Sequence, residues 1–309
     1  MTVLTRPRLG VSSCLLGEKV RYDGGHRRHR FVADVLAPYV DWVPFCPEIA
    51  IGLGTPRETI RLTAQDRVVN KSGTADHTDA MAALPLPAGD IDGYVFKAKS
   101  PSCGTHGIPR YGEGGQPVDR RGRGAYAARV LATFPLLPVE DEGRLSDDVL
   151  RATFVERIFA RARLRELLAG PWQPRDLMAF HARHKLQILA HDPARYRVAG
   201  RVVAASGVQA RADTAAQYTE VFCAAMNGKA TRGRHMNALL HAFSQVSEIL
   251  DDNRRIDLVD RIEAYKRGDT PISVPVALLT HHARGDGLEW LAEQTYLAPY
   301  PAALGFAAG

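Results

Sequence analysis

LGVSSCLLGEKVRYDGGHRRHRFVADVLAPYVDWVPF, residues 9–45, decides how the first half of the chain is built. Leu9–Val11 is a short apolar run that stops at a loop rich in Gly and Ser. Arg30–Tyr39 (RFVADVLAPY) then spaces Phe31, Val35 and Leu36 as a helix would. Trp42–Phe45 is a second apolar run, and Tyr94–Phe96 repeats the pattern further on. Strand, loop, helix, strand in that order predicts a parallel sheet with crossover connections. In such a sheet the loops at the carboxyl ends of the strands build the ligand crevice.

Working outward, 309 residues favour two domains, each long enough to bury a core. A composition 45% apolar and 24% charged is that of a folded chain. No stretch approaches the ~18 apolar residues of a membrane span, and MTVLTRPRLG has no apolar h-region of a secretory signal. The expectation is a cytoplasmic protein with no membrane partner. Ser146–Gly170 changes the period: Val149, Phe154, Ile158, Leu164 and Leu168 recur at helical spacing, with Gly170 as a stop. Beyond Pro171 and Pro174 the pattern stays helical, with stripes through 236–250 and 258–265 and Gly268 able to end the latter. The expected fold is therefore α/β, a Rossmann-like parallel sheet with flanking helices, followed by an all-α C-terminal domain. The expected boundaries are 1–150, a connecting helix over 151–170, and 171–309.

Four cysteines occur, and three of them stop in loops of the first half: VSSCLLGEKVRYDGG around Cys14, FCPEIAIGLGTPR around Cys46 and KAKSPSCGTHG around Cys103. Spacings of 32 and 57 residues exclude a local zinc knuckle. Two readings stay open on the residues alone. The three are small buried hydrophobes, or they are ligands gathered in space from three loops, where nearby glycines leave backbone N–H groups free to tune the sulfurs. Three thiolates on a four-iron cluster would leave one iron open as a Lewis acid. Cys223, in the helical stretch YTEVFCAAMNG, reads as a buried structural thiol.

The runs SSCLLGEKVRYDGG, FCPEIAIGLGTPRE and KAKSPSCG resemble the thiouracil desulfidase family, and FHARHK and YLAPYP resemble the YbgA-type domain often fused to it. The two-domain arrangement is similar to that of tRNA 4-thiouridine desulfidases, and the resemblance covers nearly the whole chain. It implies a [4Fe–4S] cluster held by Cys14, Cys46 and Cys103 with one open iron, to which a thiocarbonyl sulfur would bind while water attacks the ring carbon. Glu48 matches the family's acid/base carboxylate, a reading favoured over that of a Glu capping a loop or pairing with Arg57. Ser100 matches a hydroxyl that orients water or substrate. Ser13 and Ser102 are adjacent candidates for substrate binding, and Asp23 reads as a turn residue before Gly24 and Gly25.

Charge is uneven along the chain. Residues 1–150 hold 19 basic and 18 acidic side chains, and 151–309 hold 21 and 16, so the excess of five sits in the second half. Small basic clusters there suit a phosphate-tracking surface. Arg183 and Lys185, lying off a stripe of His181, His184 and His191, and Arg232 and Arg234 are the expected RNA contacts. In the first half the expected contacts are Arg27, Arg28, Lys97 and Lys99, with Tyr22, Tyr111 or His106 able to stack a base. The histidine stripe reads as packed or phosphate-facing rather than metal-binding. These readings converge on removal of sulfur from 4-thiouridine in tRNA. The alternatives are desulfuration of free thiouracil or thiouridine monophosphate, a small thiolated pyrimidine in place of tRNA, and a non-catalytic RNA-binding redox sensor.

Overall fold

The computed structural model describes residues 5–87 and 89–304. The chain divides into two compact units, Met1–Phe154 and Val155–Gly309, and the division falls within one long helix, Asp148–Ala169.

In the first unit, β1 (Arg8–Ser12), β2 (Asp41–Phe45), β5 (Gly93–Phe96) and β8 (Val139–Asp141) form an all-parallel sheet in the order β2-β1-β5-β8. β5 is buried along its whole length and β1 at every position after Arg8. Strands covered on both faces are expected to read as unbroken apolar runs rather than as alternation. Gly10 pairs in register with Tyr94, and a Cβ on it would lie 2.2 Å from the Tyr94 ring. The absent side chain thus makes room for the stack of Tyr94 on Phe96, whose ring centroids are 3.9 Å apart.

The segment read as an α-helix over 30–39 is helical but not α. Phe31–Leu36 winds as a π-helix and Ala37–Tyr39 as a 3₁₀ turn. Pro38 offers no N–H to the ladder, so a regular α-helix has no donor there. Phe31, Val32 and Leu36 are buried, as the apolar spacing implies.

A second sheet was not foreseen. β3 (Ile60–Thr63), β4 (Val68–Asn70), β6 (Ile108–Tyr111) and β7 (Pro117–Gly122) pair in the order β4-β3-β6-β7, with antiparallel β3–β4 and β6–β7 and a parallel β3–β6. These strands have three to six residues, and β7 is almost wholly exposed, so no apolar period marks them. Ile60, Leu62 and Ile108 of this sheet share a core cluster with Tyr94 and Phe96 of the first. Three helices complete the unit: α1 (Pro47–Ala50), α2 (Thr78–Ala83) and α3 (Ala125–Thr133).

Helix α4 (Asp148–Ala169) ends one residue before Gly170. The second unit continues as α5 (Pro174–His191), α6 (Pro193–Ala205), α7 (Arg211–Met226), α8 (Arg232–Val246), α9 (Asp252–Arg267), α10 (Ser273–Gly285) and α11 (Glu289–Ala292). Gly268 caps α9 at φ +93°, a left-handed conformation that favours glycine. The predicted stripe on α8 and its partner on α9 form the core: Met236, Leu239 and Val246 pack with Leu258, Ile262 and Tyr265.

The histidines of α5 are packed. His184 is buried and stacks on Phe180 at 3.9 Å between ring centroids. His181 meets the Tyr218 hydroxyl at 3.0 Å. Burial pushes His181 down to about 4 and His184 to about 3, so both are neutral in ordinary conditions and ill suited to hold a phosphate. At His191 burial also opposes the charge, but Glu156, 3.4 Å away, outweighs it and raises the imidazole. The FHARHK and YLAPYP segments serve the fold as well. Thr295, just before YLAPYP, donates its backbone N–H to Arg183 O at 2.9 Å, and the Tyr296 hydroxyl meets His235 at 3.0 Å. No helix among the described residues is long and apolar enough to cross a membrane.

Candidate active site

β1 lies between β2 and β5, so the chain leaves β1 to one side for β2 and returns on the other for β5. Loops that diverge from a central strand in this way leave a crevice at its carboxyl end. The loops after these three strands carry Cys14, Cys46 and Cys103 to one cavity of about 390 Å³. That volume is in the range of small-molecule sites, roughly 300–1,000 Å³.

Each sulfur is placed by a short local device. Cys14 sits in the 3₁₀ turn Ser13–Leu15 directly after β1. Cys46 precedes α1, whose first residue is Pro47, and its sulfur approaches Val20 O at 3.9 Å. Cys103 follows Ser102 in a loop held by Gly104 N–H to Ser100 O at 2.8 Å. Gly124 closes on this loop so tightly that a Cβ would lie 2.6 Å from the backbone of Ser102, Cys103 and Gly104. Gly124→Ala is therefore expected to lower stability by about 1–3 kcal/mol, as overpacking does. Chemical unfolding measures this, and a wild-type midpoint would show that the loop has room to move.

Burial raises all three thiols. It lifts Cys14 to about 11, with the neighbouring Cys46 adding to the shift and Lys97 and Arg21 opposing it. Cys103 is lifted to about 12, again chiefly by burial, against a hydrogen bond from Ser12. Cys46 rises by burial too, against the backbone N–H of Ile49. As free thiols they stay protonated near neutral pH and make poor nucleophiles, whereas a bound metal would displace their protons. Among the described residues no three His, Cys, Asp or Glu side chains are gathered around a single ion. The three sulfurs share a wider space.

Glu48 lines this cavity and pairs with Arg57. Arg57 Nε and Nη2 reach Glu48 Oε2 at 3.0 and 2.5 Å, and the guanidinium is anchored on Val20 O at 2.9 Å and Gly54 O at 3.0 Å. Only 7% of the Arg57 side chain and 15% of that of Glu48 is exposed. Glu48 Oε1 accepts the Ser102 hydroxyl at 2.6 Å, and Ser102 Oγ lies 2.9 Å from Ser100 Oγ. Ser13 lines the same cavity. The role of Arg57 as clamp was open only as an alternative in sequence, although it stands within the quoted GLGTPRE motif.

The other candidates are dispersed. Arg27 and Lys99 are exposed and line the cavity, as do Tyr22 and half-buried Lys97. Lys97 is engaged in an ion pair with Glu142, which sequence reading did not single out. Arg28 is committed to Asp34 through both guanidinium nitrogens, at 2.8 and 2.5 Å. Asp23 closes its turn by accepting Gly25 N–H at 3.0 Å. Tyr111 carries Arg61 over its ring, and His106 sits 3.4 Å from Asp141; neither lines the cavity. In the second unit Arg183 is exposed, Lys185 rests over Trp290 at 4.3 Å and Arg232 over Tyr265 at 5.7 Å. Arg234 donates to His191 O at 2.5 Å and Lys229 O at 2.9 Å. Cys223 is buried on α7 beside Arg161, at 3.4 Å.

Comparison with known proteins places both halves. Residues 9–142 match the model of the 2-thiouracil desulfurase family, and residues 185–301 match that of DUF1722, a family of unknown function. The chain is 30% identical over 146 residues to the uncharacterized protein YbgA of Escherichia coli (strain K12), spanning 47% of this chain and 86% of that protein. Among solved structures it is similar to the [4Fe-4S]-dependent thiouracil desulfidase TudS, at 33% identity, covering 46% of this chain and 94% of that one, with a TM-score of 0.39. All three cysteines, Glu48 and its serine partners fall inside the matched 9–142 segment, and the chain belongs with YbgA to the DUF1722 family, with a 2-thiouracil desulfurase domain at its N-terminal side.

Proposed function

We propose that this protein is an iron–sulfur desulfidase that turns the thiocarbonyl of a thiolated pyrimidine into a carbonyl, with 4-thiouridine in tRNA as its substrate. The observation that carries the reading is the meeting of three thiols, two buried and Cys46 half-buried, with a clamped carboxylate in one cavity. The donor set fits the cofactor: three soft sulfurs from three separate loops suit a polynuclear iron–sulfur centre better than a lone hard cation. Cys14, Cys46 and Cys103 would hold a [4Fe–4S] cluster. When bound, it supplies an iron free of protein ligands, a Lewis acid soft enough to take up sulfur.

The remaining work falls to this chain's own side chains. Water adds to the ring carbon, sulfur leaves as sulfide, and the carbon keeps its oxidation state, so the sum is hydrolysis without redox change. Glu48 is placed to take the proton of the attacking water and return one to the departing sulfur or ring nitrogen. Ser100 holds the water at the cavity wall, and Ser13 faces the substrate beside Cys14. Arg27 and Lys99 at the cavity, together with the basic second half, suit a phosphate backbone. In this reading 1–150 is the desulfidase domain, 151–170 a connecting helix and 171–309 the RNA grip.

Protein purified without oxygen, assayed for iron and labile sulfide, and then mixed with 4-thiouridine-containing tRNA tests the proposal. Loss of the near-ultraviolet absorbance of 4-thiouridine with release of sulfide is the expected result. The choice of polymer makes a further prediction. The kcat/KM for tRNA should fall steeply as salt rises, because several phosphate contacts are screened together. The kcat/KM for 4-thiouridine monophosphate should change little. Equal salt dependence for both would remove the case for tRNA while leaving the chemistry intact.

A further inference from the structure

The hydroxyl groups beside Cys103 form a chain with a direction. Glu48 Oε1 accepts the Ser102 hydroxyl at 2.6 Å, and a carboxylate has no proton to offer in return. The Ser102 proton is spent on Glu48, so in the 2.9 Å contact between the two serines Ser100 must be the donor. Ser100 Oγ itself accepts the backbone N–H of Cys103 and Ser102 at 3.2 and 3.3 Å, which ties it to the loop. The other carboxylate oxygen, Oε2, is held by Arg57. Glu48 therefore cannot rotate away without giving up both partners, and Ser100 points its proton at Ser102 rather than into the cavity, with the longer of its two N–H contacts to give up when water donates to it.

The two serines differ in access. Ser100 is half-buried, whereas Ser102 is 1% exposed. A substrate reaches the first more readily than the second, and this sets Ser102 apart from the substrate contact expected of it in sequence. Resting on the desulfidase reading, we infer that Ser102 is a positioning residue that relays to Glu48 the proton Ser100 takes from the attacking water. The step balances without any oxidant or reductant. The water oxygen bonds to the ring carbon as one of its O–H bonds breaks, and the C=S π pair moves to sulfur. That proton passes to Ser100 Oγ, the Ser100 proton to Ser102 Oγ, and the Ser102 proton to Glu48 Oε1. Glu48 ends neutral and both serines are hydroxyls again. Glu48 then gives its proton to sulfur; the remaining O–H of the added water loses its proton to solvent, that pair closes the carbonyl, and the C–S bond breaks to release hydrosulfide, which resets the chain.

Ser102→Ala in the full-length, iron-loaded enzyme tests the relay. With 4-thiouridine monophosphate, kcat should fall about 100-fold, the lower end of what a positioned proton acceptor contributes. KM and the iron and sulfide content should match wild type. A second readout needs neither iron nor turnover. In metal-free protein, the Glu48 carboxylate bands, isolated by infrared difference against Glu48→Gln, should shift when the Ser102 hydrogen bond is removed. A kcat within about threefold of wild type overturns the relay, since a lost proton-transfer partner costs far more. So do unshifted carboxylate bands. Loss of iron overturns it as well, because Ser102 would then serve the Cys103 sulfur 3.7 Å away. Absence of turnover by the wild-type enzyme sinks the desulfidase reading instead, and is told apart because the infrared shift is read without substrate.

Discussion

Cys46→Ser is expected to purify with little iron and to lose turnover by more than about 100-fold, beyond what the loss of a supporting outer-shell partner costs a metal site. The same is expected of Cys14→Ser and Cys103→Ser. Each of the three loops contributes a single sulfur to the cavity, so no neighbouring cysteine can take over the vacated position. A serine hydroxyl is a hard donor that binds iron weakly and does not deprotonate under these conditions. Cys223→Ser serves as the control and should keep wild-type iron and activity, because that thiol lies on α7 and lines no part of the cavity. Iron assay and sulfide release on the same preparations decide the matter. Full iron content and wild-type turnover in Cys46→Ser would return the cysteines to the core and leave the proposed chemistry without a foundation.

What could be read from sequence follows the physics of each segment. β1 and β5 announce themselves because strands in a covered parallel sheet are unbroken apolar runs, β2 shows the run Trp42–Phe45 although it is an edge strand with no fully buried position, and the cysteine loops follow because such runs end where the crevice lies. Helices α8 and α9 are long enough for their stripes to repeat, and Gly268 marks an end that only a left-handed residue makes. The second sheet left no such trace. β4 has three residues, and β7 is solvated on nearly every position, so neither period nor apolarity accumulates. Long-range partners were hidden for a different reason. That Glu142 captures Lys97, 45 residues back, depends on how loops meet in space, which local pattern does not encode, whereas the Glu48–Arg57 pair, nine residues apart, stood in sequence as one of two readings. The direction of the Ser100–Ser102–Glu48 chain was likewise out of reach, since it follows from distances between loops after different strands.

Glu48→Gln should lower kcat by a factor of about 10²–10⁴, the range for a positioned acid or base, while iron content and the visible spectrum stay as in wild type. Gln has the same shape and can still accept from Arg57 through its oxygen, so the clamp to Val20 O and Gly54 O survives. What it cannot do is take a proton from the serine chain: its NH₂ group, turned toward Ser102, has only donors to present. The charge change must be controlled for. Arg57 is nearly buried, and leaving a buried cation without its anion can cost about 3–5 kcal/mol. Unfolding midpoints measured beside kcat separate loss of catalysis from loss of fold, and Arg57's two carbonyl partners should keep the destabilisation below that range. The experiment also divides the enzyme from a sensor. An oxidant-responsive cluster protein has no use for a proton acceptor joined to two hydroxyls, and its RNA affinity and cluster would survive the change with nothing else lost. Turnover at the wild-type rate in Glu48→Gln would mean that water is activated elsewhere. In that case the carboxylate would be only the anion that holds Arg57 across the loop, and the cavity would have to find its base among groups that show no such arrangement.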